Sequence, residues 1–186
     1  MRKHLFFTGP IGCGKSTLLL HALGEKLWQA GGFLTLRRRL ENGKPADFVL
    51  MSPDGKEKEV FLDLTGAAPR LDMEVFARLG VRLLREEKPF LVLDEIGGAE
   101  LLCPEFTREL YRVLERDIPI IGVVKGEGPA GALIQKLGLT EDYQQAASGL
   151  RKTMENHAGT SLYTCSQFDK NALALAKRWV EEYVHE

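Results

Sequence analysis

The chain has 186 residues, 44% of them hydrophobic, and a formal net charge of −1. This length suits one domain spanning 1–186, and the near-neutral charge argues against a general nucleic-acid-binding surface. The cysteines, Cys13, Cys103 and Cys165, form no C-x-x-C or Cys/His cluster, which argues against a disulfide framework and structural zinc. The amino-terminal apolar run, 5–7, is too short for a secretory signal or a membrane span, so we expect a cytoplasmic protein without a membrane partner.

The first half of the chain predicts a strand, a glycine-rich loop, a helix and three further strands. Each assignment follows an apolar run or period bounded by Gly, Pro or polar residues. The predicted elements are a strand at 5–8, a helix at 16–29, a strand at 33–40, and strands at 47–51 and 59–64. The last two flank a Ser-Pro-Asp-Gly sequence, which predicts a β-hairpin over about 47–64.

The second half alternates helices with strands. The predicted elements are a helix at 72–86, a strand at 90–93, a helix at 104–116, a strand at 118–124, a short helix at 130–137, a helix at 141–156, a strand at 162–165 and a helix at 171–184. The run at 90–93 is continuously apolar, which is typical of a strand covered on both faces in a parallel sheet. The polar stretch at about 138–159 is assigned as an insertion.

Strands that alternate with helices predict a three-layer α/β fold with a mostly parallel central sheet and right-handed crossovers. Ligands in such folds lie beyond the carboxyl ends of the strands. Several polar residues lie at or directly after the ends of predicted strands, namely Thr8, Asp94, Glu95, Lys125 and Ser166. We therefore expect these residues to meet at one edge of the sheet.

Residues 9–17 contain the phosphate-binding pattern G-x-x-x-x-G-K-S/T, known as Walker A, between a predicted strand and a predicted helix. Glycines there let successive backbone N–H groups point at phosphate oxygens, and the helix amino terminus adds partial positive charge. Lys15 is expected to reach the β- and γ-phosphates, and the Ser16 hydroxyl to bind Mg²⁺. The predicted nucleotide-binding residues are Gly9, Pro10, Ile11, Gly12, Cys13, Gly14, Lys15, Ser16 and Thr17.

Two acidic residues end the apolar run at 90–93. Asp94 has the position of a Walker B aspartate and is expected to hold Mg²⁺ opposite Ser16. Glu95 follows it and is placed to orient or deprotonate a water that attacks the γ-phosphate. A carboxylate after a strand is common in isolation, but its pairing with an intact phosphate loop favours the catalytic interpretation.

Three blocks of the sequence, 9–17, 32–39 and 94–101, resemble the signature blocks of one family. It is the nucleoside-triphosphatase family known from thermophiles and as the cancer-related NTPase. The pattern of that family reads roughly G-F-x-T-x-x-x-R for the second block and D-E-I-G-x-M-E-L for the third. This chain departs from the third pattern at Gly98, where Lys is frequent, and at Ala99, where Met is usual.

The resemblance implies a P-loop NTPase fold with RecA-like strand order, in which an extra strand separates the two motif strands. It also implies Mg²⁺-dependent hydrolysis of ATP, GTP and other nucleoside triphosphates to the diphosphate and phosphate. Arg39 falls on the family's arginine position, where an arginine can stabilise the γ-phosphate transition state. An exposed, charged strand end is an equally good interpretation of Arg39.

Two other functions remain open from the sequence. The same loop serves nucleotide and metabolite kinases, in which Asp94 or Glu95 would accept the proton of a substrate hydroxyl. A nucleotide-switched binding module is the other alternative, and its protein partner is not specified by the sequence. The preferred base and the oligomeric state are not predicted.

Overall fold

The computed structural model describes residues 1–126, 135, 138, 140–167 and 169–185. Within this part of the chain, eight strands form one sheet. The strands are β1 (His4–Thr8), β2 (Gly31–Arg39), β3 (Pro45–Met51), β4 (Lys58–Asp63), β5 (Arg70–Leu71), β6 (Leu91–Ile96), β7 (Ile120–Val124) and β8 (Thr160–Thr164). Their spatial order is β5-β4-β3-β2-β6-β7-β1-β8.

Helices connect most of the parallel strands. They are α1 (Lys15–Leu23), α2 (Val81–Leu84), α3 (Pro104–Leu114), α4 (Thr140–Asn156) and α5 (Lys170–Tyr183). A π-helical turn, Phe76–Gly80, leads into α2, and 3-10 turns follow α1 (Gly24–Gln29) and precede α3 (Ala99–Leu102). None of the helices in the described ranges has the length and apolar character needed to cross a bilayer.

The sheet has a parallel half and an antiparallel half. The pairings β2–β6, β6–β7, β7–β1 and β1–β8 are parallel, whereas β2–β3, β3–β4 and β4–β5 are antiparallel. Strand β7 lies between β1 and β6, so an extra strand separates the two motif strands. The expected mostly parallel α/β fold with an added hairpin is therefore confirmed.

Apolar side chains on the two faces of the sheet build two cores. Leu5 and Phe7 pack with Leu19 of α1 and Trp179 of α5 on one face. On the other face, alternate strand residues such as Phe6 pack with α2, α3 and α4. Both faces of the parallel strands are thus covered, which explains the continuously apolar sequences of β6 and β7. The result is the predicted three-layer arrangement.

The predicted elements correspond to observed ones, with differences in length. The helix predicted at 16–29 ends early as an α-helix, because Gly24 has a φ of 51° at its carboxyl end. The strand predicted at 90–93 runs on through both acidic residues to Ile96. The two-residue strand β5 has no counterpart among the predictions, since two residues carry no periodicity. The helix predicted at 130–137 lies outside the described residues, apart from position 135.

The stretch at 138–159, assigned as an insertion, holds helix α4, which belongs to the fold. Leu150 and Met154 of this helix are about 1% exposed and pack in the core beside α2 and α3. The segment is polar because one helix face is solvated, while a few apolar residues anchor the other face. Helix α4 lies in the helical layer and leads into β8.

Substitution at Gly32 tests the close approach of β2 to β6. A Cβ at this position would lie 2.2 Å from the Val92 carbonyl oxygen, and the φ of Gly32 is +84°. The obstructing atom is backbone in a central strand, so it cannot move aside cheaply. We expect Gly32→Ala to lower the free energy of unfolding by more than about 3 kcal/mol in urea titrations.

Gly43→Ala is the matched control, because Gly43 has a φ of +79° but nothing within 4 Å of its Cβ position. Gly43→Ala should lower the free energy of unfolding by only about 1 kcal/mol, the energy needed to hold alanine in the left-handed conformation. Equal losses in the two variants would show that the contact with Val92 contributes nothing.

Candidate active site

Polar residues from the carboxyl ends of β1, β6 and β7 meet at one edge of the sheet. Glu95 and Lys125 border a cavity of about 570 Å³ there, whereas Thr8 and Asp94 are buried and do not line it. Its lining consists of Gly9, Ile11, Gly12, Gly14, Lys15, Ser16, Thr17, Thr35, Arg37, Arg39, Phe48, Phe61, Leu62, Leu71, Glu95, Gly98, Ala99, Val123, Lys125 and Gly126. Ser166 does not line the cavity; its N–H and hydroxyl donate to the Asp169 carboxylate, which caps α5.

The phosphate loop wraps around the start of α1. Gly9, Gly12 and Gly14 all have positive φ values, of 134°, 77° and 94°, so the loop turns tightly where other residues would be strained. Lys15 is the first residue of α1, and its Nζ donates to the carbonyl oxygens of Gly9 at 3.0 Å and Pro10 at 2.7 Å. The ammonium group therefore lies over the loop.

Two of the nine predicted loop residues, Pro10 and Cys13, do not line the cavity. The Cys13 thiol instead lies 3.6 Å from the Lys15 ammonium group. The remaining seven residues face the cavity, together with Lys125 from the end of β7.

Asp94 lies behind Ser16. The Ser16 hydroxyl donates to the Asp94 carboxylate at 2.8 Å, and the Thr35 hydroxyl donates to the Asp94 carbonyl oxygen at 3.0 Å. Asp94 is only 2% exposed. Burial raises its pKa to about 6, and the neighbouring Glu95 charge adds to this rise, while the hydrogen bond from Ser16 opposes it.

The pair formed by Ser16 and Asp94 suits a hard divalent cation. A hydroxyl and a carboxylate are ligands that Mg²⁺ prefers, and a buried carboxylate whose charged form is disfavoured would gain from a cation. Across the described residues, no group of three or more His, Cys, Asp or Glu side chains is placed to hold a metal. A metal at this point would therefore need further ligands from phosphate oxygens and water.

Glu95 projects into the cavity from an irregular point in β6. Its φ is +64°, the only positive φ among the non-glycine residues described, and the pairing of β6 with β7 shifts register between Leu93 and Ile96. Such left-handed conformations cost energy and are concentrated at functional sites. The irregularity turns Glu95 towards the cavity although Asp94, one residue earlier, is buried.

The peptide after Glu95 is held from two sides. The N–H groups of Gly97 and Gly98 donate to one Glu100 oxygen at 2.6 and 2.7 Å, and the Tyr143 hydroxyl donates to the Gly97 carbonyl at 2.8 Å. Burial and the Glu100 charge raise the pKa of Tyr143, so its hydroxyl stays protonated. No sequence signal pointed to Tyr143, because α4 reaches this loop only through the fold.

The arginines of β2 alternate in direction. Arg37 and Arg39 line the cavity, whereas Arg38 points away and pairs with Asp47 at 2.6 Å. Arg39, predicted to be catalytic, donates to the Gly43 carbonyl at 2.7 Å. Arg37, which the sequence analysis did not assign, lies 3.6 Å from the Glu95 carboxylate. Because side chains alternate along a strand, the sequence could have predicted that Arg37 and Arg39 lie on one face. It could not have predicted which of the two lies beside Glu95.

A phosphate loop at the start of α1, facing a buried acid on a parallel strand beyond β7, defines a P-loop NTPase. A family model described as "NTPase" matches residues 4–172. The chain belongs to this nucleoside-triphosphatase family, as its three sequence blocks indicated, and it is an NTP-hydrolysing enzyme.

Relatives and solved structures agree with this assignment. Nucleoside-triphosphatase THEP1 of Thermotoga sp. (strain RQ2) is 30% identical over 129 residues, which cover 65% of this chain and 73% of that protein. The human cancer-related nucleoside-triphosphatase is 27% identical over 192 residues, which cover 90% and 98%. The crystal structure of THEP1 from Aquifex aeolicus shares the fold, with a TM-score of 0.68, 16% identity, and coverage of 98% of this chain and 99% of its own.

Replacing Asp94 tests whether its charge is destabilising in protein free of metal and nucleotide. Asp94→Asn removes the charge but keeps an oxygen that can accept from Ser16. An unfolded Asp loses its proton near pH 4, whereas folded Asp94 loses it at about pH 6. Wild-type stability should therefore fall as the pH rises through this window and stay lower above it.

We expect Asp94→Asn to exceed the wild type in free energy of unfolding by about 2–3 kcal/mol near neutral pH, and the difference to close towards pH ~4. Asp54→Asn gives the opposite sign, because a hydrogen bond from Ser52 and the contact with Lys56 hold the pKa of Asp54 at about 2. Its destabilisation should be present at neutral pH and fade in acid. Urea titrations across the pH range measure both, and a pH-independent Asp94→Asn effect would contradict the assignment.

Proposed function

We propose that this enzyme hydrolyses nucleoside 5′-triphosphates, ATP and GTP among them, to the diphosphate and phosphate with Mg²⁺ as its cofactor. The observation that carries the proposal is the 2.8 Å contact between Ser16 and Asp94, with Glu95 in the adjoining cavity. This contact joins the phosphate loop to the acidic residues of a distant part of the chain. Phosphoryl transfer needs these groups together.

The loop and Lys15 bind the phosphates in this mechanism. Successive loop N–H groups and the start of α1 present positive charge to an anion. Lys15 already lies over the loop through its bonds to Gly9 and Pro10. Its ammonium group would exchange these carbonyl oxygens for oxygens of the β- and γ-phosphates.

Ser16 and Asp94 would hold the metal. When bound, Mg²⁺ neutralises charge on the β- and γ-phosphate oxygens. Thr35 supports this arrangement by fixing the Asp94 backbone through its hydrogen bond to the carbonyl oxygen.

Glu95 orients the attacking water and accepts its proton. Its side chain is 23% exposed and borders the cavity, so water can reach it. The hydrogen bonds around Gly97 fix the backbone that follows it. A positioned carboxylate of this kind contributes about 10²–10⁴ to the rate of a proton-transfer step.

The kinase and switch interpretations are not favoured, since the relatives reported above are named nucleoside-triphosphatases. The cytoplasmic location and the lack of nucleic-acid and membrane partners stay predictions of the sequence analysis. Arg39 at the cavity rim stays a candidate for transition-state stabilisation. We assign no protein partner.

Glu95→Gln and Lys15→Ala test the division of roles. We expect Glu95→Gln to lower kcat by about 10²–10⁴ while nucleotide binding persists, because the amide cannot accept the water's proton. Lys15→Ala should weaken both binding and turnover. Phosphate release from ATP, GTP, CTP and UTP with Mg²⁺ and no other substrate measures turnover, and calorimetric titration measures binding.

Glu25→Gln is the matched control, because Glu25 is exposed in the turn after α1 and does not line the cavity. It should behave as the wild type. Normal phosphate release by Glu95→Gln would reject the role of Glu95, and release that requires a hydroxyl-bearing acceptor would favour a kinase instead.

A further inference from the structure

Arg37 and Glu95 form an ion pair inside the cavity. Arg37 Nη2 lies 3.6 Å from Glu95 Oε1, and the two side chains are 34% and 23% exposed. Of the cations in the described residues, Arg37 alone is ion-paired with Glu95. The carboxylate assigned to the attacking water therefore has a single positively charged neighbour in direct contact.

Arg37 is anchored to the antiparallel part of the sheet. It stands directly opposite Phe48 in the antiparallel pairing of β2 with β3. Its guanidinium carbon lies 4.9 Å from the centre of the Phe48 ring, a cation–π distance. Phe48 in turn packs against the core beneath the sheet. The ring restricts the guanidinium group to one region of the cavity.

Glu95 needs such a partner more than an ordinary surface glutamate does. The Glu95 backbone has an unusual φ in an irregular stretch of β6. The preceding residue, Asp94, is also acidic, so the two neighbouring carboxylates carry like charges. Glu100 and Tyr143 bind the backbone beyond it, but neither contacts its carboxylate. The direction of the carboxylate is thus left to Arg37.

Arg39 occupies the arginine position of the family pattern and lines the cavity, yet among the described residues it forms no ion pair with Glu95. The pairing of β2 with β3 shifts register between Arg38 and Arg39, and such irregularities redirect side chains. Arg39 consequently donates to Gly43 in the turn between these strands.

From these contacts we infer that Arg37 is a positioning residue, which sets the Glu95 carboxylate towards the attacking water. The inference rests on the proposed function of Glu95. It assigns Arg37 no contact with the phosphates, so Arg37 acts on catalysis through Glu95 alone.

Steady-state kinetics of single variants give the first test. We expect Arg37→Ala to lower kcat by about 10- to 100-fold with little change in KM, the effect of a misplaced catalytic group. Arg37→Lys should recover part of the loss, because it keeps the charge but not the planar group that stacks on Phe48. Arg38→Ala is the matched control and should behave as the wild type, since Arg38 pairs with Asp47 outside the cavity.

The Glu95→Gln background gives the decisive test. If Arg37 acts through Glu95, adding Arg37→Ala to Glu95→Gln should cause no further loss in single-turnover phosphate release. An equal loss in both backgrounds would overturn the inference, and so would a raised KM with unchanged kcat, because Arg37 would then act on the phosphates directly. Wild-type kcat in Arg37→Ala would overturn it as well.

Phe48→Leu tests the same idea without touching a charged group and serves if Arg37→Ala does not fold. Loss of the ring should lower kcat by about two- to fivefold through looser placement of Arg37, again only when Glu95 is present. An unchanged kcat in Phe48→Leu would reject the anchoring step. Failure of the proposed function is distinct, because Glu95→Gln would then release phosphate normally.

Discussion

The Ser16 hydroxyl and the Asp94 carboxylate meet at 2.8 Å, and the arrangement of the whole site depends on this contact. Ser16 follows β1 through the phosphate loop, whereas Asp94 lies on β6, and β7 holds these two strands in parallel register. Burying a carboxylate beside a second carboxylate is unfavourable. The apolar residues of β6 and β7, which are buried on both faces, supply the stability that maintains it.

The parts of the site that could be predicted are those encoded by short stretches of sequence. The phosphate loop needs glycines at fixed spacing and a lysine, all within nine residues, and a helix that begins at its end. Asp94 and Glu95 stand out because they end an apolar run that only a doubly covered strand tolerates. Helix and strand alternation then fixes the layers and the edge at which these residues meet.

The parts that could not be predicted depend on register and packing between distant segments. Arg39 was favoured over Arg37 from its place in a pattern, but the register shift next to Arg39 and the opposing Phe48 ring decide which guanidinium reaches Glu95. Tyr143 reaches Gly97 only because α4 packs under this loop. The polar sequence of α4 gave no indication that this helix packs in the core, since two buried residues, Leu150 and Met154, are enough to anchor it.

The two walls of the cavity come from the two halves of the mixed sheet, which differ in how their strands are connected. The phosphate loop, Asp94, Glu95 and Lys125 sit on parallel strands, whose long crossovers tie each residue to a core on both faces. The opposite wall, which includes Phe61 and Leu71, comes from consecutive antiparallel strands joined by short surface turns. Such turns tolerate changes in length and composition far better than crossovers do. Evolution can thus reshape one wall of this enzyme's cleft while its hydrolytic apparatus remains fixed.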